Sequence, residues 1–202
     1  VKLTISRSIM RGNARFGFEG RGATLVATDS IFRDNNEGGV DLVNATGRFD
    51  RCVVSGNAGT GMRLDAGVFV VRNSFVFRNG GTGIDIFASA VGNVVEFNTI
   101  VDNAVGVSCV FGANQPETPF PNNIIVRNGV NTSGGVVCTY PNSILATNIS
   151  GLNFVSPDVA PFDYHIQAGS IAIDAAAATT LDHDFDGDPR PADAADVGAD
   201  EL

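Results

Sequence analysis

The stretch Ser30-Ile31-Phe32-Arg33-Asp34-Asn35-Asn36-Glu37-Gly38-Gly39-Val40-Asp41-Leu42 decides the fold, because near-copies of it return along the chain. Its first half recurs as Ser8 to Asn13, Cys52 to Asn57, Ser74 to Asn79, Asn98 to Asn103, Asn123 to Asn128 and Ser143 to Asn148. The closing asparagines, Asn13, Asn35, Asn57, Asn79, Asn103, Asn128 and Asn148, stand 22, 22, 22, 24, 25 and 20 residues apart. A short fixed period with Asn and Gly at the unit boundaries marks a solenoid, in which each repeat buries its apolar side chains only by stacking on its neighbours.

Two phrases in each repeat read as strands. A Gly four residues after the first four asparagines (Gly17, Gly39, Gly61, Gly83) precedes triplets such as Val40-Asp41-Leu42, Met62-Arg63-Leu64 and Ile84-Asp85-Ile86, apolar in, charged out. That alternation has the period of a strand. Val107-Ser108-Cys109 and Val136-Val137-Cys138 read as later copies. Ahead of each Asn, the column Met10, Phe32, Val54, Val76, Ile100, Ile125, Leu145 is apolar throughout and is assigned to the core. About 22 residues is too few for a strand-helix-strand crossover, and helical solenoids use roughly 33 or more. The expectation is an all-β coil of short parallel strands, about seven turns at about 4.8 Å each.

In such a stack equal columns lie above one another. A side-chain amide donates and accepts, so the seven asparagines are expected to form a hydrogen-bonded ladder along the rod. A Ser or Asn column five residues earlier keeps step with it.

The phrase apolar-x-x-Ser-x-apolar-x-x-Asn-x-x-x-Gly-apolar resembles the right-handed parallel β-helix repeat of pectate-lyase-like proteins, over residues 3 to about 148. The tail words Tyr164-His165-Ile166, Gly169 to Asp174, Asp184 to Pro191 and Asp196 to Glu201 resemble the closing segment of choice-of-anchor Q bacterial secreted and surface proteins. Ile171 departs from the Pro of that family's phrase. The resemblance implies a right-handed parallel β-helix (a β-solenoid) over 1–151, an acidic C-terminal capping segment over 152–202 packed on the solenoid and closing the rod, and an extracellular or bacterial cell-surface location.

Composition fits one elongated unit. The chain is 44% hydrophobic with 24 Gly, and no run of 18 apolar residues offers a membrane span. No secretory leader is visible ahead of the first repeat, which suggests a mature or trimmed product. Residues 1–150 carry 12 basic and 11 acidic side chains, whereas 151–202 carry 11 acidic ones and only Arg190, giving the net −9. This balance argues against nucleic acid, whose binding rests on neutralising phosphates, and favours cations as ionic partners.

Several residues are candidates for chemistry. Cys109 and Cys138, each three residues after a Gly, are placed in one inward column on neighbouring coils, either as stacked thiols or as a disulfide; Cys52 replaces a Ser and reads as a small buried residue. Asp182, Asp184, Asp186, Asp188 and Asp193, with Gly187, match the alternation of a calcium loop, although Pro189 and Pro191 forbid an exit helix. The set reads either as a structural calcium site or as a solvated acidic turn. The outward column Glu19, Asp41, Arg63, Asp85 spaces carboxylates over the range used in glycoside cleavage, and reads either as a catalytic face or as a charged ladder that solvates a sheet. The column Arg7, Asp29, Arg51, Asn73 alternates similarly. The sole Lys is Lys2 and both His lie in the tail, which leaves the rod without a lysine or histidine base; no Trp and two Tyr argue against an aromatic platform for sugars. The paired Asp-Asp and Gly-His-Gly words of polygalacturonases and the pectate-lyase Arg and calcium-carboxylate set are not found. A Pro-rich excursion, Asn114 to Pro121, is expected to project as a loop.

The functional expectation is a secreted or cell-surface structural, adhesive or glycan-binding module facing a polysaccharide or matrix component. A lyase or hydrolase of acidic polysaccharide is the alternative, and a rod that self-associates end to end is a third.

Overall fold

The computed structural model describes residues 1–87, 90–110, 115–135 and 137–202; Asn114 of the expected loop and Val136 of the expected strand copy lie outside these. It is an all-β, right-handed parallel β-helix of about six full turns, with no helix among the described residues. Three parallel sheets run its length. Sheet A stacks Lys2–Ser6, Thr24–Thr28, Thr46–Asp50, Phe69–Arg72 and Val94–Glu96. Sheet B stacks seven short strands from Ile9–Arg11 to Ile144–Ala146, and sheet C six from Phe16–Arg21 to Val130–Gly134. The two sequence phrases are sheets B and C. Sheet A was not read from the sequence, because strands such as Thr46–Asp50 (Thr-Gly-Arg-Phe-Asp) carry few apolar residues.

Each coil turns its corners on single residues held at positive φ. Between sheets A and B these include Arg7, Asp29, Arg51 and Asn73, at φ of 45° to 51°; between B and C they include Gly12, Asp34, Gly56, Arg78, Asp102 and Arg127. The first set is the alternating charged column of the sequence. It has two roles, since a left-handed residue makes the bend and Arg51 Nε also reaches Asp29 Oδ1 at 2.7 Å.

The asparagine ladder runs inside the next corner. Asn57 donates through both its backbone N (3.2 Å) and Nδ2 (2.8 Å) to Asn79 Oδ1, and Asn79 donates likewise to Asn103 Oδ1 at 3.0 and 2.9 Å. The second proton of each amide reaches a backbone carbonyl of the preceding coil, as Asn79 Nδ2 does to Val54 O at 3.1 Å. The glycine column follows from this. A Cβ on Gly61 would lie 2.6 Å from Gly83 O and 2.9 Å from Asn79 Nδ2, so only glycine lets the backbone pass over the ladder.

The ladder ends one residue set earlier than expected. Asn128 donates to Asn131 Oδ1, and Asn131 Nδ2 donates to Ala146 O, whereas Asn148 is exposed and accepts from Ser150 N. Asn148 follows the last strand of sheet B, where no further coil offers a partner. The second column also stacks: Cys52 N donates to Ser74 Oγ, Ser74 N to Asn98 Oδ1, and Asn98 N to Asn123 Oδ1. Cys52 is a free, buried thiol, pushed up to about 12 by burial.

Inside the rod one continuous core joins Leu25, Phe32, Leu42, Phe49, Met62, Phe69, Ile84 and Ile100. Cys109 and Cys138 are joined as a disulfide. They do not share a column, because Cys109 pairs with Gly134 in sheet C while Cys138 pairs with Thr118 in a separate two-stranded ladder. The cross-link closes a loop spanning 29 residues, which restricts the unfolded chain by about 3–4 kcal/mol in the chain-entropy treatment.

The tail is a side wall. It packs on the outer face of sheet B, where Phe75, Val101, Ile124 and Val126 form a second core with Leu152, Phe154, Tyr164, Ile166, Ala172, Val197 and Ala199. Leu145, the inward residue of the last coil, stays 42% exposed, so the segment expected to close the rod runs along its flank instead. The cause lies in the strands themselves. Ile124–Val126 is apolar on both faces, and a parallel sheet with two apolar faces requires cover on both. Polar ties fix the dock: Tyr164 Oη donates to Asp102 Oδ2 at 2.6 Å, Arg127 Nη1 donates to Asp158 Oδ1 at 2.7 Å, and Ala199 N donates to Thr99 Oγ1. Within the tail, buried Arg190 donates to Asp196 O, Gly198 O and Glu201 while stacking on Phe97.

Two outcomes follow. Asn79→Ala leaves the buried donors of Asn57 without their acceptor and is expected to cost about 1–3 kcal/mol in urea unfolding. Val126→Asp is expected to detach the tail, so that limited proteolysis cuts beyond residue 150 while the circular-dichroism spectrum of the rod persists.

Candidate functional site

Two surfaces bring chemistry-bearing residues together. The first is the outer face of sheet C, where register stacks Glu19 on Asp41, Asp41 on Arg63, Arg63 on Asp85, and Asp85 on Ser108. The sequence column is therefore a true spatial ladder. Its first three members are engaged in ion pairs: Arg21 lies 3.1 Å from Glu19 and 3.7 Å from Asp41, Arg63 lies 3.9 Å from Asp41 and 3.8 Å from Asp65, and Arg15 bridges Glu19 and Glu37. Arg63 also covers the Phe87 ring at 4.6 Å.

Although it points away from the core, the Asp41 side chain is only 2% exposed beneath these arginines. Burial raises its pKa, with Arg63 and Arg21 opposing; Asp85 is raised by burial too, with a hydrogen bond from Ser108 opposing. Asp41 and Asp85 sit on alternate rungs, about 10 Å apart, with a guanidinium between them rather than room for water and sugar.

The second surface was not legible in the sequence. Folding the tail onto sheet B places His165 against Phe75, at 4.8 Å between rings, and His183 Nε2 at 3.2 Å from Asp50 Oδ2. The rod thus does face two histidines, because the tail returns to it. The same docking assembles an aromatic cleft of about 280 Å³ lined by Phe75, Phe77, Phe162, Tyr164 and Phe185 with Val53, Pro161, Asp163 and His165. No Trp was needed, since rings far apart in sequence meet across the seam.

Two further hollows adjoin the cleft, one toward each corner that flanks sheet B. One of about 330 Å³ shares Phe77, Pro161 and Phe162 with it and adds Arg33, Asp34 and Arg78; another of about 240 Å³ shares Val53 and Phe185 and adds Asp29, Arg51 and Asp186. Arg78 lies 3.8 Å over the Phe162 ring. The signal available in the sequence was the all-apolar strand Phe75–Phe77, whose outward Phe75 and Phe77 the in-out pattern does not predict.

The five tail aspartates do not converge. Asp184 is fully buried, with Oδ1 accepting from Gly187 N and Asp188 N at 2.8 Å each and Oδ2 from Glu201 N at 2.9 Å. Asp182 is exposed beside His183, and among the described residues no three of the five gather around one point. The alternation is that of a turn whose central carboxylate ties down backbone amides. Asp186 alone joins another cluster, with His165 and Asp200.

A family model described as "Right handed beta helix region" matches residues 2–148. No curated protein matches the chain. Among solved structures, the crystal structure of pectate lyase Pel9A is similar, with a TM-score of 0.67 at 16% identity, over 98% of this chain and 59% of that one. The chain thus spans less than two thirds of that protein, and the likeness is one of fold. No helix among the described residues is long and apolar enough to cross a membrane.

The raised pKa of Asp41 fixes a sign. A carboxyl favoured as the neutral acid in the folded state contributes most below its unfolded value, 3.8, and loses that contribution as pH rises through its higher folded value. The stability of Asp41→Asn relative to the wild type is therefore expected to improve between pH 3.5 and pH 7 in parallel urea titrations.

Proposed function

The chain belongs to the right handed beta helix family, and from that premise we propose that it is a glycan-binding module of the extracellular space or cell surface. The observation that carries this reading is the seam between rod and tail. Its aromatic centre offers ring faces on which sugars stack, and Arg33 and Arg78 at one end, with Arg51 at the other, suit carboxylated or hydroxyl-rich units. The cleft and its two extensions form one trough that crosses the outer face of sheet B along its strands, from the Arg51 corner to the Arg78 corner, a shape that takes a short stretch of a linear chain.

Catalysis by the Glu19, Asp41, Arg63, Asp85 face is the second reading, favoured by the raised pKa values of Asp41 and Asp85. Against it stands the ion network that holds Asp41 under Arg21 and Arg63, while Asp85 is engaged by Ser108. The fold is shared with pectate lyase Pel9A, so uronic-acid polymers are the natural probe for both readings.

Calorimetric titration with oligogalacturonate is expected to show binding that Arg78→Ala weakens by roughly tenfold, the scale of losing one central contact. Release of reducing ends or unsaturated products is expected to stay at background. Product release abolished by Asp41→Ala or Asp85→Ala, with binding indifferent to Arg78, would establish the enzyme instead.

A further inference from the structure

We propose that His165, Asp186 and Asp200 form a binding site for a divalent transition-metal ion of the zinc class, at the edge of the aromatic cleft. One ligand atom from each lies within 4.8 Å of the other two. With metal–nitrogen and metal–oxygen bonds of about 2.0–2.2 Å, the donors around one ion stand roughly 3–3.5 Å apart, so a cation drawn between them needs only small side-chain adjustments.

The imidazole is already set for this role. Its Nδ1 lies 2.5 Å from Asp163 Oδ1, the outer-shell carboxylate that fixes the tautomer of a ligating histidine and leaves Nε2 to face the ion. Nε2 itself is shielded from solvent and makes no hydrogen bond; Asp186 Oδ2 is 3.1 Å away but out of line for one. A buried nitrogen close to two carboxylates with a bond to neither is an unmet group in a protein whose ladders satisfy their amides one by one.

Asp200 is held by its backbone partner, Ile166 N donating to Oδ2 at 2.7 Å, which leaves Oδ1 for coordination. Asp186 is half exposed and makes no other ion pair among the described residues, so it can close on an incoming ion. Phe75 and Phe185 flank the imidazole, at 4.8 and 5.8 Å between rings, and form a dry wall on one side. Three protein donors leave a coordination position for water or ligand.

The donor set selects the ion. One imidazole with two carboxylates suits zinc and its neighbours, whereas calcium takes six to eight oxygens and finds only two side chains of that kind here. This site is distinct from the Asp182–Asp193 alternation, with which it shares only Asp186. It also stands independently of the glycan reading, because it concerns ion uptake without any sugar.

The test is calorimetric titration of untagged protein with Zn²⁺ and, separately, Ca²⁺ in a non-chelating buffer, with thermal melting before and after chelation. One zinc per chain is expected, with a melting temperature raised by zinc and restored by chelator. Asp186→Asn, at an exposed position that leaves the fold intact, should weaken uptake at least tenfold, and Asp163→Asn by about 10–100-fold. Asp182→Asn and Asp188→Asn should leave it unchanged. Absence of stoichiometric zinc uptake, preference for calcium, or uptake indifferent to Asp186→Asn would overturn the assignment.

Discussion

Every polar side chain placed inside the rod must be satisfied by its counterpart one turn away, and the rest of the architecture depends on that requirement. An asparagine amide meets it in both directions. Its oxygen accepts twice from the coil before, and its NH₂ donates onward to the next oxygen and back to a carbonyl. Because those bonds require identical residues in register, they fix the period of the repeat. They also require backbone to pass close overhead, which makes the glycine column obligatory. Where a coil runs to 24 or 25 residues instead of 22, the ladder is undisturbed, since the additional residues are accommodated outside its corner.

The second constraint acts on sheet B. Its inner face belongs to the rod's core along its whole length, but from Phe75–Phe77 onward its outer face is apolar as well. A sheet apolar on both sides must be covered, and the tail supplies that cover. The trough, the two displaced histidines and the His165, Asp186, Asp200 cluster are all products of this docking. Chemistry in this molecule is thereby concentrated at the seam, while on the outer face of sheet C Glu19, Asp41 and Arg63 are drawn into ion pairs.

Sequence reading went furthest where a signal was repeated. The asparagine, serine and apolar columns gave strand positions for two of the three sheets and their registers, because seven copies of one phrase average out local accident. Sheet A escaped, since Gly47 and Arg48 break its pattern. The final coil differs for a related reason: it has no neighbour beyond it, so Asn148 has no ladder partner and turns to Ser150 N, while Asn131 takes the terminal place. For the cysteines, counting residues from the preceding Gly suggested a shared column, yet the chain's detour before Thr118 put Cys138 in another ladder and still within bonding reach of Cys109.

By itself the sequence determined the stack, because translational repetition along a chain becomes vertical alignment in space whenever each unit can bury its apolar side chains only against the next. It determined the outward charged column on the same ground. Where the non-repeating tail would lie was settled only by tertiary structure. Contacts such as Phe75 with His165, Asp50 with His183 and Thr99 with Ala199 join residues 90 or more positions apart, through surface complementarity that no local pattern encodes. A side chain's neighbour in a solenoid is one period away and can be counted, whereas its neighbour across a docked segment is chosen by which faces remain apolar after the coil has formed.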